Sequence, residues 1–283
     1  VDKNSAIAQE KRDVIRGEAL FLRGYYYFIL AQYFGGVPLK LEPTSSVIDV
    51  DVARVPVKDV YLQIIKDMEA AEKLVPGIKT LGFGGAISKS AVRGMLARVN
   101  LHMAGEPVKD KTKYADASKW AKMVMDDAEA GHSLNPSYPE IFMNLAGDKY
   151  DIKESIWEVE FYGNRTDQYV ETGNVGWING PAAGVNSKTG RADSYMTITS
   201  ELYNKFEPGD NRKWFSIAHF AYTATGDKTM NALPTNENAK NLLRPAKWRR
   251  EYETLLPKSP TTTPINMVLL RFSDILLMYA EAE

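Results

Sequence analysis

Residues 17–39, GEALFLRGYYYFILAQYFGGVPL, constrain this chain most, because their apolar spacing admits one long helix and little else. Val14, Ile15, Phe21, Leu22, Tyr25, Tyr26, Ile29 and Tyr33 form a helical stripe broader than a surface helix carries. The breadth predicts a helix packed between neighbours. Gly35-Gly36 ends it, and Val37-Pro38 leads the chain away extended. Successive helical residues point about 100° apart, so Tyr25, Tyr26 and Tyr27 cannot form one flat platform for a ligand.

More helices follow. Val57, Val60, Tyr61, Ile64, Ile65, Met68, Ala71 and Val75 keep the i, i+3, i+4 spacing between Pro56 and Pro76-Gly77. Val92, Met95, Leu96, Val99 and Met103 repeat it, with Ser88 placed as N-cap and Gly105 beyond the end. Tyr114, Ala117, Ala121, Val124 and Ala128 make a stripe of mostly small residues running to Gly131, which lets neighbouring helices approach closely. The order suggests stacked helical hairpins of tetratricopeptide type, although no regular period of about 34 residues is visible.

The texture changes near residue 132. ESIWEVEF alternates, with Trp157, Val159 and Phe161 on one face and Glu158 and Glu160 on the other, the pattern of a half-buried strand. Long irregular stretches, 162–195 and 223–264, flank a short helical passage at TSELYNKFEPGD. The expected architecture is mainly α: a tetratricopeptide-like scaffold over 1–131, a loop-rich ligand-binding region with a few short strands over 132–264, and the start of a further helical part over 265–283.

Composition narrows the function. Lysine plus arginine number 35 against 36 acidic residues, so no basic excess marks a nucleic-acid binder. With no cysteine there is no disulfide, thiolate metal site or cysteine nucleophile. No apolar run reaches the roughly 18 residues of a membrane span. His102, His132 and His219 lie in separate segments without metal-ligand spacing, so neither metal nor cofactor is expected, structural calcium being left open. GFGGAISKS has Ser88 where a phosphate-binding loop needs glycine before its lysine, and the Gly-x-Ser-x-Gly nucleophile pattern is missing. No catalytic residue is assigned. Glu158 and Glu160, roughly 7 Å apart along a strand, would suit a glycosidase only if sheltered in a cleft; solvent-facing glutamates are the plainer reading.

The remaining chemistry is aromatic and polar. FYGNRTDQYVETGNVGWINGP interleaves Tyr162, Tyr169 and Trp177 with Asn164, Arg165, Asn174 and Asn179. Sugars offer C–H faces to aromatic rings and hydroxyls to amides and guanidinium groups, so these residues are the candidate saccharide site. The alternative is that Tyr162 and Trp177 anchor the loop against the rest of the fold.

Several segments, in order, resemble the SusD/RagB-like outer-membrane proteins of Bacteroidetes. GEALFLRGYYYFILAQYFGGVPL stands where that family has its first conserved block. RVPVKDVYLQIIKDMEAAEKLVP, ISKSAVRGMLARVNLHMAG, YADASKWAKMVMDD, AGHSLNPSYPEIF, ESIWEVEF, ELYNKFEPGDNR and RFSDILLMYAEAE are similar to its later ones. Gly24 and Ser273 stand where alanine is usual, and Asn100 where tyrosine is common. The resemblance implies a non-catalytic, surface-exposed outer-membrane lipoprotein that binds oligosaccharides or other nutrients over a TonB-dependent, SusC-like transporter. It also implies a longer protein, with the lipid-bearing N-terminus and much of the helical C-terminal part outside these residues. Family ligand residues lie in variable loops, so none is carried over. A tetratricopeptide-type scaffold for peptides or proteins is the competing reading, and a glycoside hydrolase a third.

Overall fold

The computed structural model describes residues 6–45, 47–48, 50–163 and 170–283. They fall into two compact units, one of residues 1–134, 152–157 and 270–283, the other of 135–151 and 158–269. This grouping differs from a division at 131 and 264, because residues 270–283 belong with the helical unit.

The helical unit contains α1 (Gln9–Phe34), α2 (Val57–Glu72), the single turn α3 (Ile78–Leu81), α4 (Lys89–Ala104) and α5 (Lys113–Met125). Packing runs α1 on α2, α2 on α4 and α4 on α5, and the helix Phe272–Ala282 lies against α5 and α4. This is the predicted mainly helical, tetratricopeptide-like arrangement. The apolar stripes of α2 and α4 are buried as their periodicity requires, and Ser88 Oγ accepts the Ala91 N–H at 3.1 Å. In the third stripe Ala117, Ala121 and Val124 are buried, but the helix stops at Met125 and Ala128 is exposed in the turn leading to Gly131.

Glycine sets the helix spacing. A Cβ on Gly17 would lie 2.8 Å from Val75 Cγ1, and one on Gly94 2.4 Å from Leu270 Cδ2. Arg23 clamps the first pair of helices with a two-pronged bond to the buried Asp67, both prongs 2.7 Å.

The width expected of the first stripe needs correcting. Gly17, Phe21, Gly24, Phe28 and Ala31 are buried, whereas Tyr26 is 62% and Tyr33 79% exposed. Only one narrow face of α1 is covered. Tyr25 and Phe21 meet Trp157 edge-on at 4.8 and 5.0 Å, while the Tyr27 hydroxyl donates to the Lys40 carbonyl and accepts from its N–H. The consecutive tyrosines do point apart, and Gly35 ends the helix with φ 69°.

The second unit holds α6 (Tyr138–Ala146), part of β1 (Ser155–Val159), the hairpin of β2 (Tyr162–Gly163) and β3 (Val170–Glu171), then α7 (Val175–Asn179), α8 (Ser200–Lys205) and α9 (Asn211–Ser216). Further on come β4 (Ile217–Ala218), β5 (Phe220–Tyr222), β6 (Lys228–Met230), β7 (Arg244–Pro245) and part of β8 (Met267–Arg271). Among the described residues the strands pair in twos: β1 with β8, β2 with β3, β4 with β7 and β5 with β6. One core gathers Ile141, Phe142, Leu145 and Phe215, another Ile198, Ile217 and Leu243.

The alternation expected for β1 also fails. Ile156, Trp157 and Glu158 are all buried, while Val159 is 39% exposed. Glu158 Oε2 accepts from Asn266 Nδ2 at 3.1 Å. A buried carboxylate of this kind is tolerated because it is hydrogen-bonded.

Candidate functional site

Trp177 sits on α7, a short helix rather than the expected loop. Two glycines allow that helix to pack tightly. A Cβ on Gly176 would meet Ile265 Cδ1 at 2.7 Å, and one on Gly180 would meet the Trp248 carbonyl at 2.6 Å. The segment 191–195 runs beside the helix, with Asp193 N–H donating to Trp177 O at 2.9 Å and Tyr195 N–H to Ile178 O at 2.8 Å.

These backbone bonds bring three side chains to one carboxylate. Arg191 donates to Asp193 through Nε and Nη2 at 2.7 and 2.8 Å. Trp177 Nε1 and the Tyr195 hydroxyl donate to Oδ2 of the same residue at 2.9 and 3.2 Å. The Arg191 guanidinium, helped by these donors, holds the Asp193 carboxyl below the usual carboxylate range. Asp193 is therefore an ionised brace and not a proton donor.

The consequence is an aromatic surface with its polar ends tied down. The Trp177 and Tyr195 rings meet edge-to-face at 5.7 Å and 68°. Tyr195 is 61% exposed, and the adjacent Met196 is exposed as well. With its N–H committed, the half-buried indole offers carbon surface to a ligand rather than a donor. Arg244 Nη1 fixes the same segment through the Ser194 carbonyl at 2.6 Å.

A cavity of about 530 Å³ adjoins this surface, sharing Met196 and, from the same helix as Trp177, Asn179. Residues of α6, α8, α9, β4 and β7 form its walls. Asn179 Oδ1 is buried and has no hydrogen-bond partner among the described residues.

Of the residues expected at the site, Trp177 and Asn179 stand at this surface and cavity. Asn174 is exposed at the N-cap position of α7 and makes no side-chain cap. Tyr162 is half exposed on the β2–β3 hairpin, a separate element. Asn164, Arg165 and Tyr169 lie outside the described residues. Sequence reasoning missed Arg191, Asp193 and Tyr195, although their i, i+2, i+4 spacing in an extended stretch was a usable signal.

The glutamate pair of the hydrolase reading divides: Glu158 is buried and bonded to Asn266, while Glu160 is exposed. Glu158 is therefore not the solvent-facing glutamate of the plainer reading, and the two carboxylates do not share the sheltered cleft that the hydrolase reading requires. Among the described residues no group of three His, Asp or Glu side chains is placed to hold a metal ion. Among the same residues no helix is long and apolar enough to cross a membrane.

Comparison with known proteins gives consistent likenesses. Residues 2–101 match a family model described as SusD-like, starch-binding and associating with the outer membrane, and residues 153–283 match the model of the SusD family. A SusD-like protein of Formosa agariphila is 22% identical over 278 residues, 97% of this chain and 52% of that protein. The crystal structure of a SusD homolog from Bacteroides thetaiotaomicron superposes with a TM-score of 0.84 at 26% identity, covering 97% of this chain and 56% of that one. A laminarin-binding SusD-like protein gives a TM-score of 0.74 at 22% identity, over 98% of this chain and 61% of its own. The chain thus spans little more than half the length of these relatives.

Proposed function

The chain belongs to the SusD family, and from that premise we propose that it is a non-catalytic binding protein for an oligosaccharide or polysaccharide. The observation that carries the reading is the Trp177–Tyr195 pair braced on Asp193, beside the cavity that Asn179 and Met196 line. Rings locked in orientation lose little freedom when a sugar face settles on them, and that preorganisation favours binding. A laminarin-binding protein of the same fold supports saccharide as the ligand class.

In this reading the protein works at the outer-membrane surface, held there by an N-terminal lipid, and hands its ligand to a TonB-dependent transporter. Single-site affinity is weak and is reinforced by the many repeats of a polymeric ligand. Isothermal titration against a panel of neutral and acidic glycans tests the ligand class and the site together. Wild-type protein binds at least one, and Trp177→Ala or Tyr195→Ala weakens that binding roughly tenfold, the scale of one lost aromatic contact. Silence across the whole panel sinks the ligand class, and unaltered affinity in both variants sinks the site. Affinity purification from membranes tests the transporter separately.

A further inference from the structure

The cavity beside the aromatic pair is lined by three basic side chains, Lys205, Arg212 and Lys247, and by no acidic one. Two of the three have carboxylate partners outside the lining. Arg212 gives Nε and Nη2 to Asp210 at 2.6–3.1 Å, and its Nη1 makes no bond among the described residues. Lys205 stands 3.4 Å from Glu201 with both side chains largely in solvent, a pairing of little strength.

Lys247 differs from both. It is half-buried, with its ammonium 5.8 Å from the Tyr138 ring centroid and 5.2 Å from that of Phe142. Among the described residues no carboxylate pairs with it. The rings hold the cation by their quadrupoles but cannot neutralise it. A partly desolvated ammonium of this kind gains most from an incoming anion. Around it stand groups suited to the rest of a sugar: the Trp248 wall, and the Tyr138 and Ser216 hydroxyls 3.1 Å apart.

We propose that this cavity receives the anionic substituent of an acidic saccharide, a uronate carboxylate or a sulfate ester, with Lys247 as its charge partner and Arg212 Nη1 as a second donor. The inference rests on the glycan-binding reading and narrows it, because a neutral sugar accounts for the aromatic pair but leaves Lys247 uncompensated. A volume near 530 Å³ lies within the range of small-ligand sites, so a sugar unit fits along with its charge.

Matched ligands test it. Polygalacturonate oligomers are titrated against their carboxyl-reduced counterparts, and carrageenan oligosaccharides against their desulfated ones, using wild type, Lys247→Gln, Lys247→Arg and Trp177→Ala. In at least one pair the acidic member binds wild type about tenfold tighter, the weight of one charge-assisted hydrogen bond. The pair showing the preference tells carboxylate from sulfate. Lys247→Gln abolishes most of the preference, Lys247→Arg keeps it, and Trp177→Ala lowers both affinities while leaving their ratio. Equal binding within both pairs, or a preference unchanged in Lys247→Gln, overturns the proposal. Neutral binding that depends on Trp177 without any charge preference leaves glycan binding standing and removes this inference alone. If neither pair binds, the inference falls, while glycan binding falls only if the wider panel is silent too.

Discussion

Replacing Arg250 with methionine tests how the candidate site is held in place. Arg250 and Glu253 side chains are each 1% exposed and meet through two bonds, Nε to Oε1 at 2.8 Å and Nη2 to Oε2 at 3.0 Å. The same guanidinium donates to the Arg191 carbonyl at 2.7 Å and the Thr262 carbonyl at 3.2 Å. It lies so close to Gly190, at φ 89°, that a Cβ there would sit 2.7 Å from its Cζ. Arg250→Met fills similar space but strands the Glu253 carboxylate, whose pKa burial already raises. The stranded group escapes by taking a proton. At pH 7 that costs about 3.4 kcal/mol, since the pH is about 2.5 units above the ordinary carboxyl value of 4.5, at about 1.36 kcal/mol per unit. Two carbonyls left without donors add about 1 kcal/mol each if the site relaxes. The total, about 5.4 kcal/mol, lies just above the roughly 3–5 kcal/mol typical of a broken buried pair.

Urea unfolding followed by tryptophan fluorescence reads this loss at pH 7 and pH 5. The deficit of Arg250→Met relative to wild type shrinks by about 2.7 kcal/mol at pH 5, where protonating Glu253 costs only about 0.7 kcal/mol. Arg250→Met combined with Glu253→Leu regains most of the stability at pH 7, because neither member of the pair is left buried without the other. Both variants still lose the bond to Arg191 O, so both bind glycan less tightly whatever their stability. A single variant within about 1 kcal/mol of wild type at pH 7, or a deficit equal at both pH values, refutes the reasoning.

Gly94→Ala forces a methyl group to within 2.4 Å of Leu270 Cδ2 and 2.7 Å of Ile275 Cδ1, and overpacking of this kind lowers stability by about 1–3 kcal/mol in thermal or urea unfolding. His219, 6% exposed with both ring nitrogens unpartnered among the described residues, has its pKa lowered by burial and by Lys213. The unfolded chain then binds the extra proton first, so stability is full above the unfolded value of about 6.5 and falls as the pH drops through it, by at most about 1.4 kcal/mol per pH unit. His219→Phe flattens that part of the profile, and an unchanged slope between pH 7 and 5 rules the assignment out.

The helical unit was legible because a 3.6-residue period survives any context that covers one face. The α2 and α4 stripes and the Ser88 cap were read correctly on that ground. The width of the α1 stripe was not, since apolar spacing states which residues could be buried but not which will be. Tyr26 and Tyr33 are as apolar by type as Phe21, and only the tertiary arrangement separates them. At β1 the period of two misled because the strand buries Glu158 along with Trp157, and the partner that allows it, Asn266, lies 108 residues away. The candidate site was half legible. Trp177 stood out by type, whereas Asp193 looks like any loop aspartate until backbone bonds from α7 bring the indole to it. The cavity draws on Tyr138, Lys205, Arg212 and Lys247, which no spacing rule connects.

The helical unit is discontinuous in sequence: it is interrupted after residue 134 and again after 157, and resumes at 270–283. Two things follow. During synthesis the helix Phe272–Ala282 leaves the ribosome after the whole second unit, so α4 and α5 wait for the partner they pack against. In evolution the arrangement works in the opposite direction. Residues 158–269 can be lengthened, shortened or resurfaced for a new ligand without altering any residue of the helical unit. A lineage can thus diversify one insert while inheriting the helical unit unchanged.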